Sequence, residues 1–78
     1  MSKSPLRNIP LKTFRQYLKW CGLEYIRTEG GHEIWNKEDM KRPVVLPTHR
    51  SPVYESVVRN ALATMKKDKD DYIEFLKS

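Results

Sequence analysis

The chain has one cysteine, three glycines and two histidines, and its longest strongly apolar run is the three residues Val44 to Leu46. Each scarcity excludes something. A lone Cys21 cannot form an internal disulfide and fits a reducing compartment. So short an apolar run falls far below the ~20 residues of a membrane-spanning helix. The basic, Pro-containing start "MSKSPLRNIP" has no apolar segment of the kind a secretory signal needs. The expectation is a cytoplasmic protein with no membrane partner. Cys21, His32 and His49 are the only soft candidate ligands. They are widely spaced and lack zinc-type pairing, so neither a metal nor another cofactor is expected. Repeats and low-complexity segments are also absent.

What is present suits one small globular domain over residues 1–78, since a chain of 78 residues cannot divide its apolar side chains between two stable cores. Its 38% hydrophobic and 32% charged residues exclude a disordered tail. Domains this small bury little surface, so a partner or self-association as a homo-oligomer would be an unsurprising source of extra stability. The net charge of +5 is unevenly placed: residues 1–50 hold ten Lys/Arg against five Asp/Glu, and residues 51–78 hold five of each. A basic field in the first fifty residues favours a polyanion, RNA or DNA, or an acidic protein; a merely solvated basic surface accounts for the charge equally well.

Apolar spacing predicts the elements. Leu11, Phe14, Leu18 and Cys21 recur at helical intervals after Pro10, placed in the first turn, and Gly22 ends that helix. "LEYIRT" over roughly 23–28 and "HEIWNK" from 32 read as strands joined by a Gly30-Gly31 hairpin turn. "RPVVLP" is a short strand bracketed by Pro43 and Pro47, suited to a sheet edge. Ser51-Pro52 reads as the N-cap and first position of a second helix with Tyr54, Val57, Val58, Ala61, Leu62 and Met65 on one face. Asp70 and Asp71 then open a short last helix, about 70–77, with Tyr72, Ile73 and Leu76 on its apolar side. The Lys66-Lys67-Lys69 run reads as a solvated helix end. The whole is an α+β domain, α-β-β-β-α with a three-stranded antiparallel sheet covered on one face by helices, plus a short C-terminal helix.

The chemistry-bearing group is His32. Imidazole accepts and returns a proton at neutral pH, and RNA carries its own nucleophile in the 2′-hydroxyl. A base that takes that proton lets the oxygen attack the neighbouring phosphorus, while cations stabilise the charge on the phosphoryl oxygens. Arg27, Lys37, Arg42 and Arg50 are the candidate cations. Gly30 and Gly31 allow positive φ in the turn and also leave room for a phosphate backbone to approach. An ordinary exposed or hydrogen-bonded histidine is the plain structural alternative for His32. His49, in "PTHR", would contact RNA, position the scissile phosphate or cap the following turn. Strand alternation puts His32 with Ile34 and Glu33 with Trp35. Whether Trp35 is core, leaving His32 on the open face, or lies on the open face itself is undecided by alternation. Trp20 reads as core or helix flank.

The ordered combination of "LKTFRQYLKWCGLEYIRTEGGHEIW", "RPVVLPTHR" and "VYESVVRNALATM" resembles the HicA toxins, the small mRNA interferases of HicA–HicB toxin–antitoxin pairs. The matching features are Gly22, Arg27, Gly30-Gly31-His32 and Leu46-Pro47-Thr48-His49. The resemblance runs from about residue 9 to 65, and the final "DDYIEFLK" is similar to a short helix that many members carry. It implies a double-stranded-RNA-binding-like fold, metal-independent cleavage of mRNA with His32 as the catalytic residue, and neutralisation by a HicB-like antitoxin. Gly31 stands where the family usually has Ser, so this chain lacks that hydroxyl. Two rival readings are a non-catalytic RNA-binding module of the same fold and an adaptor for an acidic protein. Duplex-RNA binders set lysines at the start of the last major helix; "SPVYESVV" has none there, which argues against simple duplex binding.

Overall fold

A computed structural model describes residues 5–78; the first four residues of the basic N-terminal segment lie outside the described residues. Among those described, the order is α1 (Leu11–Trp20), β1 (Glu24–Glu29), β2 (His32–Asn36), β3 (Val44–Pro47), α2 (Glu55–Met65) and α3 (Lys69–Lys77). The three strands form one antiparallel sheet in the order β1-β2-β3, so both β1 and the proline-bracketed β3 are edges. This is the expected α+β arrangement.

The core draws on every element except β1. Leu11, Phe14, Tyr17 and Leu18 of α1 meet Trp35 of β2, Val44 and Leu46 of β3, Val58, Ala61, Leu62 and Met65 of α2, and Tyr72 of α3. Leu6, Ile9 and Val53 join them from flanking segments. Burial of such side chains is the main favourable term for a chain this short. All six β1 residues are exposed, and Tyr25 meets the buried Trp35 in an edge-type ring contact, 5.8 Å between centroids.

Helix ends explain where sequence expectation and structure part. Gly22 (φ +93°) ends α1 as foreseen: its amide donates to the Lys19 carbonyl and the Leu23 amide to the Leu18 carbonyl, a closed C-terminal turn. Pro10 stands just outside the helix, with extended ψ, and Leu11 is the first helical residue. Ser51-Pro52 does not begin α2. Val53 pairs with Ile9 in an isolated bridge, which holds the segment extended until Glu55, and Tyr54 at the N-cap is half exposed. The Ser51 hydroxyl instead accepts the Leu11 amide at 3.1 Å, capping α1 from forty residues away. The last helix starts at Lys69, because Asp68 takes the N-cap and its carboxylate accepts the Asp71 amide. Phe75, not Leu76, packs beside Tyr72; Leu76 is exposed.

Trp20 flanks the core, 43% exposed, in contact with the rings of Tyr17 and Phe75. Asp71 secures α3 to α1 by accepting the Tyr17 hydroxyl at 2.8 Å. Burial and that bond push the Tyr17 phenol far above its ordinary range, and burial likewise raises the Tyr72 phenol and the Cys21 thiol. Among the described residues, no helix is long and apolar enough to cross a membrane.

Candidate functional site

The β1–β2 turn is built by its two glycines. Glu29 pairs with His32 across a two-residue loop, and Gly30 (φ +55°) and Gly31 (φ +76°) both have the positive φ of the turn that matches strand twist. Nothing lies within 4 Å of where either Cβ would sit, so the requirement for glycine is conformational and the space above the turn is open.

Register then assigns the faces. Trp35 is 2% exposed and Glu33 4%, so these two point to the helices, and His32 and Ile34 point to the open face. The ambiguity over Trp35 resolves to core. His32 is exposed, and its Nδ1 lies 3.1 Å from the Gly30 carbonyl oxygen. A carbonyl can only accept, so Nδ1 carries the hydrogen and the neutral ring presents the Nε2 lone pair to solvent. The turn that lifts the imidazole also selects its tautomer.

Arg27, opposite Ile34, shares this face, and its Nε is 3.2 Å from Glu29 Oε1. Pro47 pairs with His32, and the Thr48 amide donates to the Gly31 carbonyl at 2.8 Å, so Thr48, His49 and Arg50 leave the sheet at the His32 end. His49 is exposed there, and the Arg50 guanidinium stacks on Tyr54, 3.9 Å from the ring centroid. Gly30, Gly31 and His32 therefore share one end of the sheet with the start of the segment that carries His49 and Arg50, while the Arg50 guanidinium turns to Tyr54 and Arg27 lies at mid-strand opposite Ile34.

Lys37 and Arg42 lie elsewhere. They flank the β2–β3 connection, at the end of β2 remote from His32, and five strand residues separate the two ends by ~14 Å. There they border a cleft of about 480 Å³ together with Lys41 and Lys66. A strand carries its two ends apart, which composition does not register.

Glu33 is a site residue that sequence reasoning passed over. Buried beneath the His32 edge, its carboxylate accepts from both ends of the Arg15 guanidinium, from Trp35 Nε1 at 3.0 Å and from the Thr48 hydroxyl at 2.7 Å. Burial works to raise its pKa, but the hydrogen bonds from Arg15, Thr48 and Trp35 outweigh it and hold the carboxyl below its ordinary value. The same pairing raises Arg15. Glu33 thus ties α1 to the strand that carries His32 and to the segment that carries His49. Alternation had put a carboxylate on the face of Trp35. Once that face is core, the carboxylate needs hydrogen-bond donors to stay charged, and the partly exposed Arg15 between Phe14 and Leu18 supplies two of them.

Among the described residues, no three His, Cys, Asp or Glu side chains are grouped closely enough to hold a metal ion. No family model, no curated protein and no solved structure matches the chain.

Proposed function

We propose that the protein is an endoribonuclease of the HicA mRNA-interferase type, with a double-stranded-RNA-binding-like fold, whose His32 moves the proton of a ribose 2′-hydroxyl. The observation that carries this reading is the His32 ring itself: exposed, with Nδ1 held by the Gly30 carbonyl and Nε2 free to act as base. In that role Nε2 takes the 2′-hydroxyl proton, the oxygen bonds to the adjacent phosphorus, and the 5′-oxygen departs, protonated in its turn by the imidazolium or by solvent. Arg27 is a cation on the same face, and His49 and Arg50 follow Thr48, whose amide is bonded to the Gly31 carbonyl. The chemistry so written calls on no metal.

An antitoxin of the HicB type is the proposed protein partner. Beside His32 the open face carries Ile34, partly buried, and Val45, 44% exposed. A partner that covers these apolar side chains also closes off the imidazole.

Cleavage of single-stranded RNA by wild type and by His32→Ala tests the reading, with folding checked by thermal melts. His32 is exposed, so the variant should melt with wild type, and removal of a general base should slow cleavage by ~100-fold or more. Equal rates remove the mechanism. One observation favours a non-catalytic RNA-binding module: Arg27 is paired with Glu29, which reduces the charge available to a transition state. That alternative requires RNA retention in a gel shift without product formation.

A further inference from the structure

The cleft at the far end of the hairpin holds charge that the protein leaves unspent. Outside the cleft every described arginine has a carboxylate or ring partner: Arg7 and Arg59 with Glu55, Arg15 with Glu33, Arg27 with Glu29, Arg50 with Tyr54. In the cleft only Lys37 has one, Asp39 at 3.9 Å. Lys41, Arg42 and Lys66 line the same cleft with no carboxylate within salt-bridge distance among the described residues.

The floor is of another kind. Met40 and Met65 line it, both packed into the core cluster, and Ala63 and Thr64 complete the wall. Thioethers are polarizable and make favourable contacts with flat rings. A volume of about 480 Å³ is that of a small-molecule site, large enough for one nucleotide and too small for a folded partner's surface. Two of the carbonyls that end α2, those of Ala63 and Leu62, accept the Lys66 and Lys67 amides, so the cations of the cleft have to outweigh only the rest of that helix end.

We infer that this cleft is a nucleotide-binding site separate from His32, with a base against Met40 and Met65 and its phosphate held by Lys41, Arg42 and Lys66, and that its occupant is a nucleotide of single-stranded RNA beyond the bond at His32. The choice of RNA as the source of that nucleotide rests on the nuclease reading; the chemistry of the cleft does not. Lys37, partly neutralised by Asp39, contributes to the rim.

The test uses the full chain carrying His32→Ala, so that RNA is bound without being cut, with and without Lys41→Gln, Arg42→Gln and Lys66→Gln together. The probes are a fluorescein-labelled 12-mer of oligouridylate and, separately, free UMP. The three side chains are exposed, so melting temperatures should stay together. Loss of the three cations that hold this phosphate should weaken 12-mer binding about tenfold or more and lower the slope of log affinity against log salt by ~0.7, the value for one phosphate of a single strand. If UMP competes only weakly while the 12-mer responds as stated, RNA is the source. Tight UMP binding lost in the triple variant keeps the site but assigns it to free nucleotide, and so overturns RNA as the occupant. Equal 12-mer and UMP affinities with and without the triple substitution overturn the site altogether. Failure of the nuclease reading shows separately, as wild type that cuts no RNA.

Discussion

Replacing Glu33 by alanine should destabilise the protein by about 3 kcal/mol, and each part of that figure has a structural source. The Trp35 indole N–H, in a side chain 2% exposed, loses its acceptor and has no route to water, which costs ~1–3 kcal/mol. The Thr48 hydroxyl loses a hydrogen bond worth ~0.5–1.5 kcal/mol. Arg15 is the lesser term, because its side chain is 37% exposed and can turn its charge to solvent, so it sits nearer the exposed-pair limit of ~1 kcal/mol than the larger penalty of a fully buried ion. Against a total stability of about 4 to 12 kcal/mol for a domain of this length, such a loss is severe. It should appear as a fall in melting temperature of roughly 12 to 24 °C. Urea denaturation monitored by the fluorescence of Trp20 and Trp35 measures the same quantity.

Glu33→Gln adds a pH signature. The folded carboxyl titrates below its ordinary value of 4.5, so the stability it contributes is complete above the unfolded value and is lost as pH falls through the lower, folded one. The stability gap between wild type and Glu33→Gln should therefore be constant at neutral pH and close progressively below about pH 4.5. A Glu33→Ala variant destabilised by less than about 1 kcal/mol, or a Gln variant whose gap ignores acid, would refute the assignment of Glu33 as the buried tie between α1, β2 and the Thr48 segment.

Two backbone predictions follow from φ alone. Lys66 ends α2 in the left-handed conformation at φ +59°, where a Cβ costs ~1 kcal/mol, so Lys66→Gly should raise stability by about 0.5–1 kcal/mol in thermal melts; a neutral or lower melting point contradicts it. Gly31→Ser, which introduces the hydroxyl that the proposed HicA-type reading would set at this position, should cost about 1 kcal/mol because φ is +76° although the space is open. If RNA cleavage is assayed in the same variant, a gain in rate despite that loss would mark the hydroxyl as a phosphate contact, and an unchanged rate would mark it as dispensable here.

Periodicity and turn chemistry were legible in the sequence because they are local. The spacing of Leu11, Phe14 and Leu18, the Gly22 stop and the Gly30-Gly31 turn each depend on residues a few positions apart, and each stands where it was expected. Ser51-Pro52 misled because a good N-cap pair says nothing of which helix it will cap; the Ile9–Val53 bridge decides that. Likewise His32 was legible as a candidate from its neighbours, whereas its surroundings were not: the Gly31–Thr48 hydrogen bond brings the start of the segment carrying His49 and Arg50 to its turn, and Lys37 and Arg42 lie at the other end of β2.

The sequence by itself determined the α+β element order, the single small core and the histidine after the glycine pair, since apolar period, chain length and positive-φ residues act over short stretches. Only the tertiary structure decided that Trp35 faces inward and His32 outward, that Glu33 is a buried anion requiring Arg15, and that the basic residues divide between two ends of one hairpin. Those outcomes depend on which face of the sheet the helices cover. Charge and burial act through space, so they are settled when the chain closes on itself and not by the order of residues along it.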